Sequence, residues 1–342
     1  MKNKAIFLCK ENRGSIDRVY TQNAEILKKL TNELEFPEEV INLDNIESLR
    51  DFTNGCKYVF STWGMPEMSA GDIKKYLGGC EAIFYGAGSV QYFAKEYLKS
   101  GIKISSAWVA NGVPVAEFTV SQILLACKGY FKIAKKIANP EDWKNQAKIA
   151  GGNYPGNYDT KIGILGAGTV GKRVIRNLQA LGVKTEILVY DPYFSEKDAA
   201  AMNVKKASLE EIFSSCCAVS NHVANLPSTV GMINKAHFDL MQDYATFINT
   251  GRGAQIVESD MITALKKNPT LTALLDVTDP EPPEAGSELY ALENVIMTPH
   301  IAGVGGLELR RLSEFMYGEY RLYESEKRLD YEVTLEMLEY MA

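Results

Sequence analysis

The chain has 342 residues, 46% of them hydrophobic and 23% charged, with 37 basic against 43 acidic side chains and a net charge of -6. That length exceeds the usual single core and sets two domains as the expectation, while the composition excludes a disordered chain. The acidic balance, with no long Lys/Arg cluster to offset it, argues against a nucleic-acid partner.

The N-terminal stretch MKNKAIFLCKENRG carries an apolar run too short for a signal peptide or a membrane span, so the cytoplasm is the expected compartment and no membrane partner is expected. Short aliphatic or β-branched runs then alternate with helical patterns along the whole chain. AIFLC, KYVFST, EAIFYGA and IKISSA occupy the first third, followed by KIGILGAG, EILVYDP, CAVSNH, ATFINTG, LTALLDV and NVIMTPH. This alternation predicts βαβ units with parallel sheets covered on both faces. VPVAEFTVSQILLACKGYFKIAKKIA, residues 113–138, reads as one long apolar helix with lysines near its end, a spine at a domain or subunit junction. Residues 139–160 are polar and rich in Gly and Pro, and are expected to be a connecting loop. After residue 305 comes an amphipathic helix with mixed charge.

Six cysteines, Cys9, Cys56, Cys80, Cys127, Cys216 and Cys217, form no CxxC pair and no zinc spacing, so they read as reduced thiols and no metal is expected. The chemistry is carried by other residues. A strand runs into Gly166-Ala-Gly168-Thr169-Val170-Gly171 and then into a helix, the context that a dinucleotide-binding turn requires. Its glycines permit a tight turn, close approach of a pyrophosphate and helix packing, and the helix N-terminus offers free N-H groups. Asp191, twenty residues beyond Gly171, can accept hydrogen bonds from ribose hydroxyls and would repel a 2'-phosphate, which favours NAD over NADP. A glycine turn without ligand, or a loop for another adenosine cofactor such as a methyltransferase uses, stays open at this point.

Downstream, Arg252 stands between two glycines after ATFINT, where its fork could meet a carboxylate or simply face water. Asp276 ends the LTALLDV run, and Glu281 follows in a proline-rich loop. His300 lies in NVIMTPHIAG. Alone it reads as structural, but a carboxylate neighbour would favour its imidazolium and fix which ring nitrogen faces a substrate. His237 reads as structural, His222 as a residue shaping a cleft, and Trp63 as a wall of a site or ordinary packing.

Taken together, GILGAGTVGK, VYDPY, INTGRG, LDVTDPEP and NVIMTPHIAG, in this order and at these separations, resemble the D-isomer-specific 2-hydroxyacid dehydrogenase family. The resemblance covers most of the chain from about residue 111; VPVAEFTVSQILLA is similar to its Ala-Glu-containing helix, and YGAGSV to its substrate-carboxylate loop. It implies an α/β fold of two doubly wound parallel-sheet domains: a Rossmann NAD-binding domain over residues 108–303, and a flavodoxin-like substrate domain over residues 1–107 completed by 304–342, with the active site in the cleft between them. It implies Arg252, Glu281 and His300 as the catalytic trio, with Ala87, Gly88, Arg252 and His300 against the substrate. It places Gly166, Gly168, Thr169, Val170, Gly171, Asp191, His222, Thr229, Thr250, Gly251, Arg252, Asp276, His300 and Gly303 against NAD, with Asp276 holding the nicotinamide carboxamide. The implied activity is NAD-dependent interconversion of a small 2-oxo acid and a D-2-hydroxy acid by a homodimer. The alternative is an NAD(H)-sensing interaction protein, corepressor-like, on the same scaffold.

Overall fold

The computed structural model describes residues 2–11 and 13–341. In chain order its strands are β1 Asn3–Phe7, β2 Leu34–Glu35, β3 Tyr58–Ser61, β4 Ala82–Tyr85, β5 Lys103–Ser106, β6 Tyr158–Leu165 and β7 Lys184–Tyr190. They continue with β8 Lys205–Lys206, β9 Ala218–Asn221, β10 Thr246–Asn249, β11 Thr272–Leu275, β12 Val295–Met297 and β13 Glu332–Val333. Every aliphatic run named above became a strand. Those of β3, β4, β9, β10 and β11 are buried along their full length, as strands covered on both faces must be.

The chain divides into two compact units, Met1–Gly112 with Val304–Ala342, and Val113–Gly303. The first boundary falls inside the helix Trp108–Ala126, five residues past the expected one. The first unit holds a six-stranded sheet in the order β2-β1-β3-β4-β5-β13, parallel except for the terminal β13, which pairs antiparallel with β5. The second holds a seven-stranded parallel sheet in the order β12-β11-β10-β9-β6-β7-β8. Both are doubly wound. The first has flavodoxin-like order, and the second has the Rossmann order, reversing between β6 and β9 where Ile162 faces Ala218.

Two helical expectations were wrong. The long helix ends at Ala126, because Gly129 adopts a left-handed φ of 71° and a Cβ there would lie 2.4 Å from the Tyr154 ring. The expected loop contains a fourteen-residue helix, Pro140–Asn153. Asn139 caps it, its Oδ1 accepting from the N-H groups of Glu141 and Asp142, and proline at the first position and two acids in the first turn complete a strong start signal. It lacks an apolar face, and none of its residues is buried.

Candidate functional site

In doubly wound sheets ligands sit beyond the carboxyl ends of the strands, at the order reversal. Beyond β6 in the second unit, Gly166 has φ 89°, and a Cβ on it would come within 2.6 Å of the His222 carbonyl oxygen. A Cβ on Gly171 would fall 2.0 Å from the Gly166 carbonyl, so the helix Thr169–Ala180 can start here only on glycine. Gly168 is different: a Cβ there meets nothing within 4 Å. The protein does not need that glycine for its own packing, and the space in front of it suits a ligand approaching the backbone. No side chain caps the helix, and the N-H groups of Thr169, Val170 and Gly171 have no acceptor among the described residues. An open glycine facing a free helix N-terminus fits a pyrophosphate.

Asp191 stands at the end of β7, as expected, and also holds the turn: it accepts from the N-H of Ala167 and of Tyr193, each at 2.7 Å. Remaining acceptor capacity on its carboxylate fits ribose hydroxyls.

The ends of β9 and β10 are tied by buried amides that the sequence reading missed. Asn221 Nδ2 donates to Asn249 Oδ1 at 3.0 Å and to Gln255 Oε1 at 2.5 Å, and Gln255 Nε2 donates to the Val223 carbonyl at 2.6 Å. Asn249 receives the Gly251 N-H and donates to the Arg252 carbonyl, and Gln255 receives the Arg252 N-H. This network sets the Gly251-Arg252-Gly253 turn; the signal for it was amide side chains at strand ends where aliphatic ones would pack. Gly253 is obligatory, since a Cβ would lie 2.0 Å from Thr278. Thr250 is buried and shares a 3.0 Å hydroxyl contact with Thr119 of the long helix.

Arg252 is thereby fixed at the backbone with its side chain nearly free. Nη1 donates to the Gly251 carbonyl at 2.7 Å, and the guanidinium has no salt bridge among the described residues. Burial pulls its pKa down, while the Glu281 charge opposes that pull. A partly desolvated cation with unused donors has the chemistry to pair with a carboxylate.

His300 and Glu281 are brought together: imidazole Nδ1 lies 2.7 Å from Glu281 Oε1, and Nε2 has no partner among the described residues. His300 adopts a left-handed φ of 53°, an uncommon conformation for a residue with a side chain, which its surroundings must enforce. Asp276 enforces it. Its carboxylate accepts from Thr298 Oγ1 at 2.6 Å and from the N-H groups of Ile301 and Ala302 at 2.9 Å, while its carbonyl accepts the His300 N-H at 3.0 Å. Asp276 is only 2% exposed, and in the structure these bonds anchor the segment that carries the histidine and reaches Gly303.

Thr229 lies in the turn after β9. Its hydroxyl proton is committed to the Ala224 and Leu226 carbonyls, and its oxygen accepts from the Leu226 N-H, so it closes its own turn. His222 contacts Ser220 Oγ at 2.9 Å, and burial lowers its pKa to about 4, which keeps it neutral near neutral pH. His237 is a core residue at a helix start, its Nδ1 accepting from the Asn234 N-H.

In the first unit, the YGAGSV turn follows β4. Ala87 is fully buried and its N-H donates to the Tyr85 carbonyl. Thr62 and Ser106 hydroxyls engage the carbonyls of Gly86, Ala87 and Gly88. The N-H groups of Gly88, Ser89 and Val90 are left without an acceptor among the described residues. Trp63 is 40% exposed, outside the core.

Residues 120–302 match the sequence model of the family described as D-isomer specific 2-hydroxyacid dehydrogenase, NAD binding domain. The chain is 33% identical over 208 residues to the putative 2-hydroxyacid dehydrogenase YoaD of Bacillus subtilis, a match covering 60% of this chain and 59% of that one. It is 30% identical over 202 residues to D-3-phosphoglycerate dehydrogenase of Archaeoglobus fulgidus, covering 59% of this chain and 37% of that relative's length. The fold is similar to that of the apo D-mandelate dehydrogenase of Rhodotorula graminis, with a TM-score of 0.79, 19% identity and 97% of each chain covered. With the glycine turn, the Asp191 carboxylate and the His300–Glu281 pair on one NAD-binding domain, the chain belongs to the D-isomer-specific 2-hydroxyacid dehydrogenase family.

Proposed function

We propose that the protein interconverts a small 2-oxo acid and a D-2-hydroxy acid, with NAD(H) as the redox partner. The observation that carries this reading is the 2.7 Å His300–Glu281 contact at the strand-end edge of an NAD-binding sheet, near a guanidinium that makes no salt bridge among the described residues. Gly168, Gly171 and the free N-H groups of the Thr169–Ala180 helix would hold the pyrophosphate, and Asp191 the ribose. When bound, the nicotinamide supplies or accepts the hydride. Arg252 binds the substrate carboxylate and draws electron density from the adjacent carbonyl. His300 Nε2 gives a proton to the carbonyl oxygen in reduction and takes the hydroxyl proton in oxidation, while Glu281 fixes the ring through Nδ1 and stabilises it when charged. The Gly88 turn is offered as a further anion-binding element, and the assembly as a homodimer, tested by light scattering on the purified protein.

The experiment is NADH oxidation with a panel of small 2-oxo acids, on the native protein and on His300→Ala. Positioned proton transfer is worth about 10² to 10⁴ in rate, so the variant should lose turnover by that factor while keeping NADH affinity. Absence of turnover with every acid, or full activity in the variant, refutes the reading.

A further inference from the structure

A second chemical feature lies at the opposite end of the same sheet. Cys127 follows the Trp108–Ala126 helix, and Cys217 immediately precedes β9; they are 90 residues apart in sequence, yet their sulfurs are 3.5 Å apart. Both thiols are free. A disulfide needs about 2.05 Å between sulfurs, so closure requires a sulfur displacement of about 1.5 Å.

The two cysteines are not equivalent. Cys127 is 1% exposed, whereas Cys217 is half-buried and lines a cavity of about 310 Å³ together with Tyr154, Pro155, Thr160, Gln242 and Tyr244. Thr160 Oγ1 donates to the Cys217 sulfur at 3.2 Å, a hydrogen bond that favours the thiolate. Tyr154, another residue lining this cavity, has a buried hydroxyl with no hydrogen-bond partner among the described residues.

We propose that Cys217 and Cys127 form a peroxide-reactive dithiol, with Cys217 as the attacking sulfur and Cys127 as the resolving one. In the first step the Cys217 thiolate attacks one peroxide oxygen. The O-O bond breaks, the sulfur becomes a sulfenic acid, and hydroxide leaves, taking up a proton to become water. In the second step the Cys127 sulfur attacks the sulfenyl sulfur; the S-S bond forms, and the hydroxyl leaves as water with the Cys127 proton. The two sulfurs give up two electrons, and one peroxide becomes two waters. The electrostatics agree with this order. The Cys127 S-H beside it, and then Thr160, hold the Cys217 thiol below the usual range against the effect of burial, while Cys127 is pushed up by its neighbour and by burial.

Cys80 is the internal control, since its neighbour Cys56 and burial push its thiol well up. The experiment treats the full-length protein with hydrogen peroxide, blocks remaining thiols, and maps peptides by mass spectrometry. The expected result is a Cys127–Cys217 linkage that costs about 2 Da, forms at least ~10-fold faster than any oxidation at Cys56 or Cys80, and is reversed by dithiothreitol. In Cys127→Ser the reaction should stop at a Cys217 sulfenic acid captured by dimedone, and in Cys217→Ser the Cys127 thiol should survive. Oxidation of Cys127 at an undiminished rate in Cys217→Ser overturns the proposal. Persistence of both thiols in the wild-type protein while Cys80 reacts overturns it as well, and that measurement needs no variant to fold.

Discussion

Replacing Arg252 by methionine separates a functional arginine from a structural one, because the two roles give opposite stability signatures. The guanidinium makes one side-chain hydrogen bond, to the Gly251 carbonyl at 2.7 Å. Losing a hydrogen bond to a charged donor costs about 1.5–3 kcal/mol. Against this stands the burial of a charge with no ion pair among the described residues, which the lowered pKa reports despite the opposing Glu281 charge and whose effective penalty in proteins is several kcal/mol. Methionine retains the apolar stem and removes that penalty, so the melting temperature of Arg252→Met should stay level or rise. Activity should move the other way. A charge-assisted contact to a carboxylate is worth about 2–5 kcal/mol, so kcat/KM for 2-oxo acids should fall by about 30- to 4,000-fold, measured as the initial rate of NADH oxidation with thermal unfolding on the same sample. Arg252→Lys should recover part of the loss, since it restores the charge without the fork. A melting temperature several degrees lower, or a kcat/KM within threefold of the native value, would refute the assignment.

Three further outcomes are expected. Gly168→Ala should leave the unliganded protein as stable as the parent, because its Cβ meets nothing, yet weaken NADH binding; Gly171→Ala, whose Cβ would sit 2.0 Å from a carbonyl oxygen, should lose more than about 2 kcal/mol in denaturant unfolding as well. Asp276→Asn places an amide N-H against the N-H of Ala302 or Ile301, so it should cost about 2–4 kcal/mol and lower kcat more than it raises KM; retention of both native stability and kcat would contradict the anchoring role. His222 gives a pH dependence. Its folded pKa, about 4, lies below the unfolded value of about 6.5, so the unfolded chain binds the proton first and stability falls as pH drops from 6.5 to 4, by up to about 3 kcal/mol. In His222→Gln, urea midpoints across that window should fall less steeply; an identical slope would show that His222 does not titrate this way.

The candidate site was legible wherever its chemistry is local. The glycine turn needs only a strand, three glycines and a helix in succession, and Asp191 follows at a distance set by one helix and one strand. His300 and Glu281 were paired in expectation through resemblance, and the structure brings them to 2.7 Å. The helix Pro140–Asn153 went unseen for a different reason: its start signal was present in Asn139-Pro140-Glu141-Asp142, but no apolar period supported it and two glycines lie near its end. Periodicity reports burial, and this helix buries nothing.

Sequence by itself determined the ten longer strands, the parallel architecture and the residue types of the site, because alternation, glycine punctuation and apolar runs express contacts within some thirty residues of chain. Only the tertiary structure decided which hydrogen-bonding groups remain available. Asp276 is occupied by residues 22 to 26 positions away, the Ala87 N-H by the Tyr85 carbonyl, and the Thr229 hydroxyl by its own turn. The edge strands β2, β8 and β13 were likewise invisible beforehand, since two residues have no period and acquire strand geometry only from the partner that pairs with them. A donor or acceptor is spent by whichever neighbour folding brings to it, and long-range neighbours are a property of the packed chain rather than of any segment.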